Sequence, residues 1–328
     1  MRTRRVGFLI LTFAIGALVA VNPVFGAAYT VGDVFASISS GQVNEYTPTG
    51  TFVQNLNDTT GATTTGLTFD SSGNLYVTNF GAAGVSKFNN TGGFVAATFL
   101  AVSTQSLPES IVATSTGFFV GGPSGGHIDQ YNLAGTLVHS YAVAGGNGTG
   151  GTDWIDFRDA NTIVYDGEGT IIKSFNIATS TQNADVATAA HTSTFALRVL
   201  PTGTTDAGDI LVADSSEALL IDPTTGATIQ HYALPGDAGE DFSLNIDPSG
   251  TSFWTGDVAS GLVWNVDIAT GAILHQWNTG HAGTFFGLAV FGELTTTGPP
   301  PTVPEPSSIL LLGTVATLVG MKLRKKLA

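Results

Sequence analysis

The chain has 328 residues, with 25 acidic against 11 basic side chains, no cysteine and a formal net charge of −14. Without cysteine, thiol catalysis, disulfide staples and thiolate zinc sites are excluded, and an apolar core must hold the fold. The acidic balance repels phosphate backbones, which excludes nucleic acid as a partner.

At the N-terminus Arg2, Arg4 and Arg5 precede an uncharged apolar run over 8–21, and the small residues Gly26, Ala27 and Ala28 follow it. A basic region, a short apolar region and a small-residue end are the three parts of a secretory signal. Residues 1–28 therefore read as a leader removed by signal peptidase, after Gly26 or after Ala28. The apolar run falls short of the roughly 20 residues a spanning helix needs.

A repeat follows. Its clearest copy is Gly66-Leu67-Thr68-Phe69-Asp70-Ser71-Ser72-Gly73-Asn74-Leu75-Tyr76-Val77-Thr78-Asn79. This is a strand, an Asp-Ser-Ser-Gly turn and a second strand rich in β-formers. Val85-Ser86-Lys87-Phe88-Asn89 predicts a third strand, and a glycine turn over 90–93 leads to a fourth. Four short strands joined by turns make one propeller blade.

The third-strand signature recurs as Val43 with Tyr46, Val85 with Phe88, Ile128 with Tyr131, Ile172 with Phe175, Ala218 with Ile221 and Val263 with Val266. A glycine turn follows every copy except the fourth, which predicts a looser outer hairpin there. First strands give an independent count through Leu67, Ile111, Ile155, Leu197, Leu244 and Leu288, in steps of 42 to 47 residues. The fold expected is all-β: a single propeller over 29–294 with six four-stranded blades. Five or seven blades would require a miscounted repeat. The first third-strand copy has no inner strand before it, and the last inner strand, at 285–291, has nothing after it. The ring should therefore close by a one-plus-three blade that removes open sheet edges.

Tyr76-Val77-Thr78-Asn79, with its flanking Gly and Asp positions, resembles the YVTN family of propeller repeats and its NHL and gluconolactonase-like relatives. One copy is literal, so the resemblance implies the fold and says little about activity.

In an antiparallel blade the start of the inner strand and the end of the second strand share one face of the ring, where propellers usually bind ligands. Those positions hold Glu109, Asp153 and Asp241 before inner strands, and Asn79, Asp166, Asp214 and Asp257 at second-strand ends. None of the basic residues between leader and tail (Lys87, Arg158, Lys173, Arg198) has an equivalent position. Oxygen ligands without a neighbouring base suit a divalent cation, calcium first. The competing reading is that aspartates in so acidic a chain simply cap turns. The resemblance to gluconolactonase-like propellers implies a metal-polarised lactone carbonyl with one carboxylate as base. Two glycine-rich stretches, 122–126 and 146–151, match nucleophile-elbow and dinucleotide spellings. Both link strands and lack the helix those motifs require. No catalytic residue and no further cofactor is assigned.

The C-terminus carries a Thr/Pro/Gly linker over 295–302, then Val303-Pro304-Glu305-Pro306, an uncharged stretch to Met321, and Lys322, Arg324, Lys325 and Lys326. This order, over 303–328, resembles the PEP-CTERM sorting signal of Gram-negative bacteria. The resemblance implies an exosortase-type processing enzyme as partner, a C-terminal helix in the membrane at least transiently, and a destination at the cell surface or in the extracellular matrix. A cationic end left in the cytoplasm agrees with it. With leader and tail set aside, four basic residues face 24 acidic ones, a net charge of −20. The function expected is a binding or scaffold propeller for a polysaccharide, a cation or a surface protein. A calcium-dependent lactonase is the alternative. The linker is expected to leave the ring at its closure point.

Overall fold

The computed structural model describes residues 28–102, 107–188 and 193–296. The leader up to residue 27 and the sorting tail from 303 lie outside the described residues. Among those described there is no helix long and apolar enough to cross a membrane.

The strands form six antiparallel blades. β1 (Val34–Ile38), β2 (Gln42–Tyr46) and β3 (Phe52–Asn57) make three strands of the closing blade. The first full blade is β4 (Thr63–Phe69), β5 (Leu75–Phe80), β6 (Gly84–Phe88) and β7 (Phe94–Ala101). The second is β8 (Ser110–Thr114), β9 (Gly117–Gly121), β10 (His127–Asn132) and β11 (Leu137–Ala142). In the third, β12 (Ile155–Asp159), β13 (Thr162–Tyr165) and β14 (Ile171–Asn176) are followed by two fragments, β15 (Thr181–Gln182) and β16 (Ala187–Thr188). The fourth is β17 (Thr194–Val199), β18 (Ile210–Asp214), β19 (Ala218–Ile221) and β20 (Thr228–Tyr232). The fifth is β21 (Asp241–Ile246), β22 (Ser252–Asp257), β23 (Leu262–Asp267) and β24 (Ile273–Asn278). The last strand, β25 (Phe285–Val290), pairs with β1 and completes the closing blade in the order β25-β1-β2-β3. Six blades and a one-plus-three closure are as the repeat count predicts.

Outer hairpins turn on one device. Gly50, Gly92, Gly135, Gly226 and Gly271 all sit at φ between 70° and 81°, where a Cβ is disfavoured. In four of these turns the side chain of Asn89, Asn132, Asp222 or Asp267 caps a backbone N–H. The third full blade has Ser180 at φ 51° in place of the glycine, and there the fourth strand splits in two. Blades pack through interlocking apolar layers. Tyr76, Val85 and Leu100 of the first blade, for example, meet Ile111, Phe118 and Tyr131 of the second. Near the axis the approach is backbone to backbone. A Cβ on Gly66 would lie 2.3 Å from the Glu109 carbonyl oxygen, and one on Gly287 2.2 Å from that of Thr65.

The Tyr76-Val77-Thr78-Asn79 segment has a job for each residue. The Tyr76 hydroxyl donates to Asp70 Oδ2 at 2.9 Å, and its ring packs on Phe118 at 4.4 Å. Val77 is core. The Thr78 hydroxyl bonds the Glu109 carbonyl of the next blade at 2.9 Å. Asn79 donates to Ser86 Oγ at 2.6 Å, and Ser86 donates to Asp58 beyond β3 at 2.7 Å. The motif is thus a set of blade-to-blade fasteners.

The expectation that the chain leaves the ring at its closure is corrected. After β25 the chain crosses the face that carries the inner hairpins. Phe291 bonds Asp33 and Gly32 through the backbone. Glu293 accepts from Ile246 N–H at 2.9 Å, Asn245 Nδ2 at 3.0 Å and Arg198 Nε at 3.1 Å. Leu294 packs on the core of the third to fifth blades, and Thr296 Oγ1 donates to the Phe157 carbonyl at 2.6 Å. The exit therefore lies at the third full blade, and Thr295 and Thr296, at the head of the expected linker, belong to the packed structure. Asp156, buried beside Arg198, accepts from Phe157 and Val199 N–H. Arg198 thus serves two carboxylates. Arg198→Ala would strand Glu293 and Asp156 without a counter-charge, and breaking such a pair costs about 3 kcal/mol. We expect a lower midpoint in urea for this variant with an unchanged slope, and susceptibility of the chain beyond Gly292 to proteolysis.

Candidate functional site at the channel mouth

The inner strands converge on the axis, so equivalent residues on them form rings. Two positions before Leu67, Ile111, Ile155, Leu197, Leu244 and Leu288 stand Thr65, Glu109, Asp153, Phe195, Phe242 and Phe286. Five of them line a cavity of about 430 Å³, together with Phe80, Leu107, Thr149 and Glu168. Phe195 stacks on Phe242 with ring centroids 4.6 Å apart. The ring is divided: carboxylates and hydroxyls on one arc, phenyl groups on the other.

Glu109, Asp153 and Glu168 each place an oxygen within 4.8 Å of the others. Glu109 and Asp153 are buried and Glu168 is partly exposed. Glu168 stands at φ 55° in a loop between Gly167 and Gly169, a conformation that brings a long acid back over the mouth. The glycine-rich stretch 146–151 folds against that loop, with Thr149 N–H donating to the Gly167 carbonyl at 2.7 Å. The Thr149 hydroxyl donates to Asp153 Oδ2 at 2.6 Å. Asp153 Oδ1 and Asp166 Oδ2 are buried and meet no donor. Glu109 bonds Asp153 only when a proton sits between them. Burial and then the Asp153 charge push Glu109 well up, burial pushes Asp153 up, and burial with the Asp153 charge lifts Glu168 to about 7. Asp166 is raised by burial and by Asp153.

The remaining residues read from the sequence fall elsewhere. Asp241 and Asp257 gather with Asp237 in a second cluster, away from the cavity. Asp257 is saturated: each of its oxygens accepts two backbone N–H groups, from Ala238, Glu240, Ala259 and Ser260. Asp214 Oδ1 accepts the N–H groups of Ser193 and Ser215. Asn79 is committed to the fastener described above. Asp241 occupies a position where other blades place threonine. Thr64, Thr152 and Thr194 each donate a hydroxyl to a carbonyl of the preceding blade. Both Asp241 oxygens lack a donor, and burial followed by the Asp237 and Asp257 charges raises its carboxyl strongly.

Sequence reading missed Glu168, Asp237 and the phenyl arc. Glu168 and Asp237 sit in loops rather than at strand ends. The phenyl arc was within reach of the inner-strand alignment, where Phe195, Phe242 and Phe286 occupy the same column as Glu109 and Asp153.

These raised carboxyls make stability depend on pH. The folded protein keeps protons that the unfolded chain releases near its ordinary values of about 4, so native binds more protons than unfolded and stability falls as pH rises. The window runs from about pH 4.5 to 8, since Glu168 titrates near 7 and burial lifts Glu45 to about 8. In chelator, the loss from pH 5 to pH 8 should be about 2 kcal/mol, a fall in Tm of roughly 4–8 °C. Asp241→Thr should raise Tm at pH 8 more than at pH 5, as read by calorimetry at both values.

No family model matches the chain, and no curated protein matches it. Among solved structures, a chain from the crystal structure of a nidogen/laminin complex superposes with a TM-score of 0.63 at 15% identity, covering 78% of this chain and 97% of that one. In all, 1327 solved chains match, a breadth that fixes the architecture and leaves function to the site. The chain shares the fold of a β-propeller.

Proposed function

We propose that this protein is an exported, surface- or matrix-displayed binding propeller whose ligand site is the divided channel mouth. The observation that carries the reading is the ring of equivalent inner-strand residues, half acidic and half aromatic, around one cavity. The face opposite the mouth receives the described chain at both its limits, with Tyr29 packed on Phe35, Phe69 and Phe291 and Thr296 bonded to Phe157. A leader at 1–28 would export the chain, and a PEP-CTERM-like tail at 303–328, processed by an exosortase-type enzyme, would hold that face toward the membrane and leave the mouth outward. Resemblance to a propeller from a nidogen/laminin complex agrees with a binding role.

A second reading rests on the three carboxylates within 4.8 Å: a calcium-dependent hydrolase of the lactonase type. Calcium takes six to eight oxygens, and Glu109, Asp153, Glu168 and Asp166 with Thr149 would supply part of that shell. Two measurements decide. Lactone turnover by the purified protein, with calcium and with chelator, should be absent; turnover lost in Asp153→Asn and in chelator would replace the binding reading by the hydrolase. A chain ending at Thr302 should leave the cell envelope for the medium while the complete chain is held, as followed by immunoblot. Equal retention of both would remove the tail from the argument.

A further inference from the structure

Resting on the reading of the channel mouth as a ligand site, we infer that it is a receptor for a primary ammonium carried on a short apolar group. Two independent features meet there. One is the carboxylate arc, where the buried Asp153 keeps Oδ1 without a hydrogen-bond partner beside Glu109 and Glu168. The other is the wall facing it, built from Phe80, Phe242, Phe286 and Leu107, with Phe242 braced by Phe195. Volume fits as well: about 430 Å³ is the size of a small-molecule pocket.

Ligand chemistry follows from what each wall needs. An ammonium group has three N–H donors, and Glu109, Asp153 and Glu168 offer three converging acceptors. Its charge offsets the repulsion that otherwise keeps protons on these acids. A bare divalent ion would satisfy the arc and leave the phenyl wall facing water. A neutral sugar would cover the wall and leave buried carboxylates without a counter-charge, at a cost of several kcal/mol. An alkyl- or arylammonium ion satisfies both, and a phenyl face adds a cation–π attraction.

Among the described residues no Lys or Arg lines this cavity.

The test is calorimetric titration of the purified protein with phenethylamine, methylamine, 2-phenylethanol and calcium chloride at pH 8. Phenethylamine should bind about tenfold more tightly than either methylamine or 2-phenylethanol. Asp153→Asn and Glu168→Gln should each weaken it about tenfold, and Glu168, partly exposed in a loop, serves where the buried variant disturbs folding. Phe242→Ala should weaken phenethylamine more than methylamine. 2-Phenylethanol binding as tightly as phenethylamine would overturn the ammonium assignment. Calcium binding lost in Asp153→Asn, with phenethylamine inert, would also overturn it and keep the mouth as a ligand site. Silence from every probe, in a protein that melts cooperatively, would overturn both.

Discussion

Pairing of Phe285–Val290 with Val34–Ile38 is the contact on which the molecule depends. Until β25 meets β1, each inner strand faces its neighbour only, and no channel exists. Once it does, six inner strands share an axis, and residues aligned in sequence become neighbours in space. The close backbone approaches at Gly66 and Gly287 follow from the same closure, because adjacent inner strands are drawn together where they near the axis. This long-range pairing has no covalent support. It rests on apolar layers between blades and on fasteners such as Thr78 to the Glu109 carbonyl.

Closure also concentrates charge. Between leader and tail, four basic residues are set against 24 acidic ones, and none of the four reaches the mouth. Arg198 is held on the opposite face by Glu293, Lys173 by Asp185, and Lys87 lies over the rings of Tyr76 and Phe99. The carboxylates at the mouth therefore meet one another and the Thr149 hydroxyl, with no Lys or Arg among the described residues lining the cavity. Burying such groups is costly, and protons relieve part of the cost. At the equivalent ring position of the first full blade a hydroxyl stands instead, Thr65, which bonds Thr78 Oγ1 at 2.8 Å.

The architecture was legible because its signals are local and repeated. An aliphatic–aromatic pair before a glycine turn marks the third strand in copy after copy, and the absent glycine forecast a looser outer hairpin at the place where the fourth strand is split. The site was legible only in part, because a strand-end rule does not say which way a side chain faces. Asp153 and Asp241 both stand at inner-strand starts, yet they differ by one place in register against Ile155 and Leu244. One faces the channel and the other the neighbouring blade. A bulge between Asp241 and Ser243 adds to that shift. Asn79 and Asp257 occupy the expected face, but backbone and side-chain donors consume their oxygens. The course of 291–296 was beyond sequence reading, since nothing in Phe291-Gly292-Glu293-Leu294 announces that its glutamate will find an arginine 95 residues away.

That segment changes how the tail relates to the ring. A chain leaving at the closure point would exert any pull directly on the β25–β1 pairing. Here the pull passes first through Thr296 to Phe157, then through Leu294 and the Glu293–Arg198 pair, before it reaches Phe291. On the proposed reading of an anchored tail, force would be spread over the third, fourth and fifth blades before it reached the closing strand. The crossing segment lies on the face of the inner hairpins, opposite the acidic and aromatic mouth. Anchoring and binding, as proposed, would then fall on opposite faces of one ring, with Glu293, held by Arg198, Asn245 and Ile246, tying the segment down.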